Sequence, residues 1–249
     1  MYKGMYVAAT GAVQRSAEMD NVANNLANVN TNGFKRNMLS SRFYPVLEEV
    51  QQAPPSVYPN ARAMTSPGKF AVDGTPGAFQ TTGNPLDLAL SADAYFVVEK
   101  NGQQFYTRNG SFLLNRDGFL STPDGYRVLD RGNQPVIIDN TEGTLSISAD
   151  GSIYLINVQQ RSNTLVAELK VARLSDIRHA GTALFTGTER EPGDYEVSQG
   201  VLERSNVNPV NELVNMITAL RQYELSHKVI QNFSDLAQRT VTDIGKPGA

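Results

Sequence analysis

The side chains best suited to catalysis or metal binding are few in this chain. The sequence has no cysteine and two histidines, so it offers no thiolate nucleophile and no cysteine-based metal site. His179 and His227 fall in different predicted elements, and neither stands in a metal-binding pair such as HExxH. His227 falls on the apolar face of the last predicted helix, where we expect a buried, hydrogen-bonded ring. The histidines therefore predict neither a metal site nor a catalytic base.

Carboxylates are the remaining candidates for acid–base chemistry, because a pair of them can hydrolyse a glycosidic bond. The candidates in the middle of the chain are Asp87, Asp93, Asp117, Asp124, Asp130 and Asp139. Asp117 and Asp124 each precede a glycine, which is typical of turns. No serine stands in a GxSxG motif, and no GxGxxG phosphate loop occurs. We expect no catalytic residue and no cofactor, so the chain is interpreted as a protein that is not an enzyme. A secreted glycan hydrolase is the disfavoured alternative.

The composition excludes several classes of partner. A net charge of -3 gives no basic face for nucleic acid. No apolar run is long enough to span a bilayer, and the first residues lack the apolar core and cleavage site of a secretory signal. We therefore expect no nucleic acid, no membrane insertion and no small-molecule substrate.

The strongest pattern lies at the two ends of the chain, where apolar and small residues recur at alternating spacings of three and four. This period predicts one helix from about Tyr2 to Val29 and another from the Asn208 cap to Gly245. Each helix then carries a seam that must be buried against another helix. The predicted assembly seam consists of Met5, Ala12, Met19, Ala23, Leu26, Leu213, Met216, Leu220, Tyr223, Ile230 and Ala237.

The last helix carries a second apolar set beside its seam. Its members are Val210, Ile217, Val229, Phe233 and Leu236. One helical partner cannot cover both strips, so the helix is expected to touch at least two others, as in a multi-helix bundle. Subunits that assemble through their ends would supply those partners.

An amide stripe marks the end of the first helix. Asn21, Asn25, Asn28 and Asn32 recur at helical spacing, although asparagine is a mediocre helix former. One interpretation is a solvated face with a frayed end, and the other is hydrogen bonding to neighbouring subunits. Under the second interpretation, the polar subunit contacts are Asn24, Asn25, Asn28, Asn32 and Arg221.

The middle of the chain consists of two parts that differ in composition. Prolines and glycines without a regular period predict an extended connector or a meandering edge segment over 33–80. Beyond it, Asn-Gly and Asp-Gly turns separate short apolar runs, which predict an antiparallel β-rich domain over 81–204, either a sandwich or an open barrel. The runs are 95–99, 104–108, 111–114, 119–122, 136–139, 144–148, 152–158 and 165–174.

The fold class is thus predicted as α+β, with long terminal helices in a coiled-coil or bundle region around an inserted β-rich domain. Residues 1–32 and 205–249 form a discontinuous helical assembly domain in this prediction.

Four segments resemble bacterial flagellar rod and hook proteins. The segment ANNLANVNTNGFKR at 23–36 resembles the family's N-terminal signature, and SNVNPVNELVNMITALRQYELSHKVIQ at 205–231 its C-terminal signature. TGNPLDLAL at 82–90 and FYTRNGSFLLNRDGFLSTPDGYRVL at 105–129 resemble its β-domain. The length and the Ser-Asn-Val-Asn-Pro-Val string are most similar to proximal rod members. Distal rod or hook-type axial members are the alternative.

The resemblance implies a structural subunit of the flagellar basal-body rod, which transmits torque from motor to hook. Such subunits leave through the flagellar type III export apparatus without a cleaved signal peptide. They polymerise through their terminal helices into an axial tube across the periplasm. The implied partners are copies of the chain, other rod subunits and the export apparatus.

A polysaccharide-binding module on a coiled-coil stalk, as in an adhesin, is the alternative from another class. It predicts an exposed aromatic platform on the β-rich domain, whereas alternation within strands favours core packing of the same rings. The rings in question are Tyr95, Phe96, Phe105, Tyr106, Phe112 and Phe119.

Overall fold

The computed structural model describes residues 2–46, 62–138, 143–157 and 162–244. Within them the chain forms a helix at each end and sixteen strands between the helices, which confirms the α+β class. Helix α1 is Tyr2–Ala27 and helix α2 is Pro209–Ile244. Helix α1 ends two residues before the predicted Val29. Helix α2 begins with proline at its first position, where a missing N–H costs nothing. The predicted stop at Gly245 lies outside the described residues.

The chain divides into two compact units. The helical unit contains Met1–Leu26, Asn37–Ala71 and Pro209–Ala249, and the β-rich unit contains Ala27–Arg36 and Val72–Asn208.

In the helical unit α1 and α2 run antiparallel. A Cβ placed on Gly4 would lie 2.7 Å from Cζ of Phe233, and one placed on Gly11 would lie 3.7 Å from Oγ of Ser226. Position 4 therefore meets position 233, and position 11 meets position 226. The absence of a side chain at Gly4 lets the helices approach closely there, whereas a Cβ at position 11 would meet Ser226 at ordinary contact distance.

Two long strands, β1 (Asn37–Val46) and β2 (Arg62–Val72), form a separate two-stranded sheet. They occupy part of the segment 33–80, which the proline and glycine pattern predicted as an extended connector or a meandering edge segment. The amides of Asn21 and Asn25 in α1 both donate to the carbonyl of Asn37, each at 3.0 Å. The Asn37 N–H donates back to Oδ1 of Asn25 at 2.9 Å. Helix α1 thereby holds the first residue of β1.

The β-rich unit contains fourteen short strands, and their pairings within the described residues are antiparallel. The strands are β3 (Phe79–Thr81), β4 (Leu88–Leu90), β5 (Ala94–Lys100), β6 (Gln103–Thr107), β7 (Leu113–Leu114), β8 (Leu120–Ser121), β9 (Arg127–Val128), β10 (Thr144–Ile147), β11 (Ser152–Asn157), β12 (Ser162–Glu168), β13 (Val171–His179), β14 (Leu184–Arg190), β15 (Val197–Gln199) and β16 (Val201–Glu203).

One seven-stranded sheet organises the unit. Its order is β13-β14-β6-β5-β9-β8-β7, and β13 also pairs with β5, so that β5, β6, β14 and β13 form a closed ring of pairings. A three-stranded sheet has the order β10-β11-β12, while β4 pairs with β15 and β3 with β16. The last two strands thus return to the first two of the unit.

Strand β5 lies between two hydrophobic clusters. Ala94, Phe96 and Val98 pack into one cluster, and Tyr95 and Val97 pack into the other. Since both faces of β5 are buried, the sequence of this strand contains a continuous apolar run at 94–98. The turn after it uses Asn101 and Gly102 at φ 54° and 76°, as the Asn-Gly dipeptide predicted.

The predicted runs correspond to strands with two exceptions. The run 165–174 is divided, because β12 ends at Glu168 and β13 begins at Val171. The run 136–139 forms an isolated bridge through Ile137 instead of a strand, and Asp139 lies outside the described residues.

Core packing explains most of the aromatic rings. Tyr95, Phe96, Tyr106 and Phe112 are buried, so the prediction of an aromatic platform is wrong for these four. Phe105 packs edge-on against Tyr126 with ring centroids 5.5 Å apart. Phe119 is covered by the Arg127 guanidinium, 4.3 Å from its ring centroid.

Candidate functional site

The candidate histidine and aspartate side chains are dispersed over the described residues. Among the described residues, His, Asp and Glu form no group of three that could hold a metal ion. The described helices also include none long and apolar enough to cross a membrane. Asp87 accepts hydrogen bonds from Thr82 Oγ1 at 2.6 Å and from Asn84 Nδ2 at 3.0 Å, and so stabilises a local turn.

The expectation for His227 is wrong. Its ring is exposed on α2 and packs edge-on against Tyr223 in the preceding turn, with centroids 4.5 Å apart. His179 is the histidine enclosed by the fold, between Phe34 at 5.2 Å and Phe185 at 4.8 Å. Its Nε2 lies 2.9 Å from the carbonyl oxygen of Lys35. Burial lowers the pKa of His179, because the charged ring would lose its hydration.

Helix α2 has two different faces. The inner face is buried or half-buried, and its members are spaced by four and three residues. They are Glu212, Met216, Ala219, Tyr223, Ser226, Ile230, Phe233 and Ala237. Because Ser226 and Phe233 are the residues opposite Gly11 and Gly4, this face meets α1.

The outer face lies beside the inner face, over the first three turns of α2. It consists of Val210, Leu213, Val214, Ile217 and Leu220, with exposed fractions of 66%, 48%, 57%, 51% and 47%. Five large apolar side chains at helical spacing form a continuous exposed strip, which typically marks an interaction surface. Arg221 is exposed one turn after Ile217, at the end of this strip.

The residues of the predicted assembly seam fall on both faces of α2. Met216, Tyr223, Ile230 and Ala237 lie on the inner face, whereas Leu213 and Leu220 lie on the outer face. In α1, the seam residues range from buried to exposed: Ala12 is buried, Met5, Met19 and Leu26 are half-buried, and Ala23 is exposed. Helix α1 also exposes Tyr6 and Val13.

The predicted polar contacts have different surroundings. Asn24 is exposed, and Asn28 and Asn32 are half-buried. Asn28 accepts a hydrogen bond from Thr31 Oγ1 at 3.2 Å. Asn25 is fully buried, and its amide bonds to Asn37 of its own chain. Asn25 therefore joins α1 to β1, and Asn24 and Arg221 present the more accessible polar groups.

Sequence reasoning missed an ionic cluster formed by Lys35, Arg108 and Glu203 inside the β-rich unit. Each of these side chains is 1% exposed. Lys35 Nζ lies 2.7 Å from Glu203 Oε1, and Arg108 Nε lies 3.0 Å from Glu203 Oε2. One carboxylate thus faces two buried cations. Each of the three residues lies in or next to a segment that resembles the rod and hook family. This resemblance is the sequence feature that could have drawn attention to them.

Backbone groups complete the cluster. Arg108 donates through Nη1 to the carbonyl of Ala94 at 2.6 Å and through Nη2 to that of Ala92 at 2.7 Å. Lys35 Nζ donates to the Thr75 carbonyl at 2.7 Å. Burial lowers the pKa of Lys35, and the neighbouring Glu203 carboxylate opposes this shift.

Two glycines allow the backbone to approach the cluster. Gly33 has φ 68°, and a Cβ there would overlap the backbone nitrogen of Asn109. A Cβ on Gly77 would overlap the carbonyl oxygen of Arg204. The Gly77 N–H donates to Glu203 Oε1 at 2.9 Å, so a larger residue would displace this donor.

Comparisons with known proteins cover the same segments. Family models described as "Flagella basal body rod protein", "Flagellar hook protein FlgE/F/G D1 domain" and "Flagellar basal body rod FlgEFG protein C-terminal" match residues 5–35, 89–155 and 198–243. The chain is 33% identical to the flagellar basal-body rod protein FlgF of Caulobacter vibrioides, over 99% of both chains.

Other relatives match at similar identity under two names. The flagellar basal-body rod protein FlgG of Buchnera aphidicola is 32% identical, over 96% of this chain and 98% of that protein. FlgF of Escherichia coli is also 32% identical, over 96% of this chain and 97% of that protein. These matches show the family without separating its members. The chain belongs to the flagellar basal-body rod protein family.

Proposed function

We propose that this protein is a structural subunit of the flagellar rod and polymerises through α1 and α2 into the axial tube that transmits torque to the hook. The outer face of α2 is the observation that carries the proposal. Five apolar side chains there, each about half-exposed, would gain roughly 1 kcal/mol apiece on complete burial. That gain favours association with further helices over exposure to water.

The partner proposed for the outer face is a helix from a neighbouring rod subunit, either a copy of this chain or another member. Residues 1–32 and 205–249 then form the assembly domain, as a bundle completed by several subunits. Asn24, Asn28, Asn32 and Arg221 supply polar contacts at its margins. We expect the β-rich residues 81–204 to form a sandwich or open barrel.

The proposed location is the periplasmic part of the basal body, reached through the flagellar type III export apparatus without a cleaved signal peptide. The family membership supports the basal-body location. The proposed rod function requires no catalysis.

Ile217→Glu tests the proposal. The side chain is exposed, so we expect the variant to keep the wild-type circular dichroism spectrum. The buried charge would oppose packing of the outer face, and we expect loss of rods by electron microscopy and loss of motility. Asn215→Glu, an exposed position in the same turn, is the matched control and should retain both. Normal rods with Ile217→Glu would refute the assembly role of the outer face.

A further inference from the structure

The end of the β-rich unit closes over its beginning. We call residues 197–208 the closing segment, since they contain β15 and β16. Val197–Gln199 pairs with Leu88–Leu90, and Val201–Glu203 pairs with Phe79–Thr81. The Gly33 N–H donates to the Glu203 carbonyl at 2.8 Å, so the stretch after α1 is held by the same segment.

Asn206 extends this closure beyond the strands. Its Oδ1 accepts the Arg36 N–H at 2.7 Å, and its Nδ2 donates to the carbonyls of Asp73 at 3.1 Å and Thr75 at 3.0 Å. The closing segment therefore supplies hydrogen bonds to three places that precede it in sequence by more than a hundred residues.

The charge balance of the ionic cluster depends on the same segment. Glu203 contributes the carboxylate, whereas both cations lie earlier in the chain, at Lys35 and Arg108. Without Glu203, two positive charges would be buried without their paired carboxylate. Backbone carbonyls and the Tyr95 ring, 5.6 Å from the Arg108 guanidinium, would offset them in part. So would the coulombic effect of Asp73 on Lys35. An uncompensated buried charge is strongly destabilising, and two like charges repel each other in addition.

We infer that the ionic cluster is a closure latch: the β-rich unit reaches its folded state only when the closing segment places the Glu203 carboxylate between Lys35 and Arg108. Because a chain is synthesised from its amino end, both cations exist before their counter-ion. The latch keeps the unit open until residue 203 is present. An open unit would be easier to export unfolded, and this advantage rests on the proposed function. The latch itself does not rest on it.

Equilibrium unfolding of full-length variants tests the charge balance. Glu203→Gln leaves both cations unpaired, and we expect its urea midpoint to fall far below the wild-type value. Lys35→Met keeps one anion for Arg108 and should lower the midpoint less. The double variant Lys35→Met/Glu203→Gln has one unpaired cation, so it should be more stable than Glu203→Gln alone.

Glu168→Gln is the matched control, because Glu168 forms a half-exposed ion pair with Arg131 at 2.8 Å. We expect little change in its midpoint, since exposed ion pairs contribute little. A midpoint for Glu203→Gln equal to that of Glu168→Gln would overturn the latch. So would a double variant less stable than Glu203→Gln.

Refolding of the unmodified chain provides a second test, which does not depend on whether any variant folds. Pulsed hydrogen exchange during refolding should show β5, β6 and β16 becoming protected in one kinetic phase. In Lys35→Met, which removes one of the two buried cations, β5 and β6 should become protected earlier relative to β16 than in the unmodified chain. Early protection of β5 and β6 in the unmodified chain would refute the latch and leave the assembly function untouched.

Discussion

Arg108 illustrates, at the scale of single residues, how a buried charge is accommodated. Its guanidinium is surrounded by backbone carbonyls of the Leu90–Ala94 loop on one side and by the Glu203 carboxylate on the other. Arginine suits this place because its planar group donates in several fixed directions. The resemblance to the rod and hook family points to the segments that contain or adjoin these residues, but the sequence does not show that the side chains meet, since Lys35 and Glu203 are 168 positions apart.

His179 makes the stability of the β-rich unit depend on pH. Its pKa is lowered in the folded state, whereas in the unfolded chain it has the ordinary value of about 6.5. As pH falls through 6.5, the unfolded chain takes up a proton that the folded chain does not, so the free energy of unfolding decreases. The loss stops once pH falls below the lowered pKa of the folded state.

We therefore expect a lower urea midpoint at pH 5.5 than at pH 7.5, and a smaller difference between the two in His179→Gln. His227→Gln, which removes an exposed histidine ring, is the matched control. Equal pH dependence in wild type and His179→Gln would contradict this role of His179.

At the scale of elements, local periodicity predicts the helices well because a helical face repeats within a few residues. It does not reveal which face of α2 meets α1. Both faces are apolar, and the inner one includes Ala219 and Ser226, whose small side chains permit close approach without a strong hydrophobic signal. The pairing of strands β1 and β2 was also not predicted, because it is not local: it joins residues on either side of the proline-rich stretch.

The glycines of α1 allow a test of the helix pair. Gly11→Ala should stabilise the helical unit by about 0.5–1 kcal/mol, because the new methyl group meets Ser226 at ordinary contact distance and alanine favours the helix. Gly4→Ala should gain less, since its methyl group would press on the Phe233 ring. Thermal unfolding followed by circular dichroism measures both. Equal gains would show that α1 does not approach α2 closely at Gly4.

At the scale of the whole molecule, the two units differ in how completely they bury their apolar side chains. The β-rich unit has two internal hydrophobic clusters, while the helical unit leaves an apolar strip uncovered. The two clusters give the β-rich unit a core within a single chain, and we expect the helical unit to complete its burial in the assembly.

Hydrogen exchange should separate the two units in a purified monomer. We expect the amides of α1 and of residues 209–220 to exchange faster than those of β5 and β6, because helices with few buried contacts open more readily. Assembly into rods should slow exchange in these helices at least about tenfold, equivalent to 1.4 kcal/mol of added protection. Strong protection of both helices in a proven monomer would contradict the coupling of helix order to assembly.

The ring formed by β5, β6, β14 and β13 limits strand pairing between crowded molecules. Each of these strands hydrogen-bonds to at least two neighbours over part of its length, so few backbone donors and acceptors remain for pairing with a strand of another molecule. Molecules stacked at high local concentration are thereby discouraged from fusing into amyloid-like ribbons.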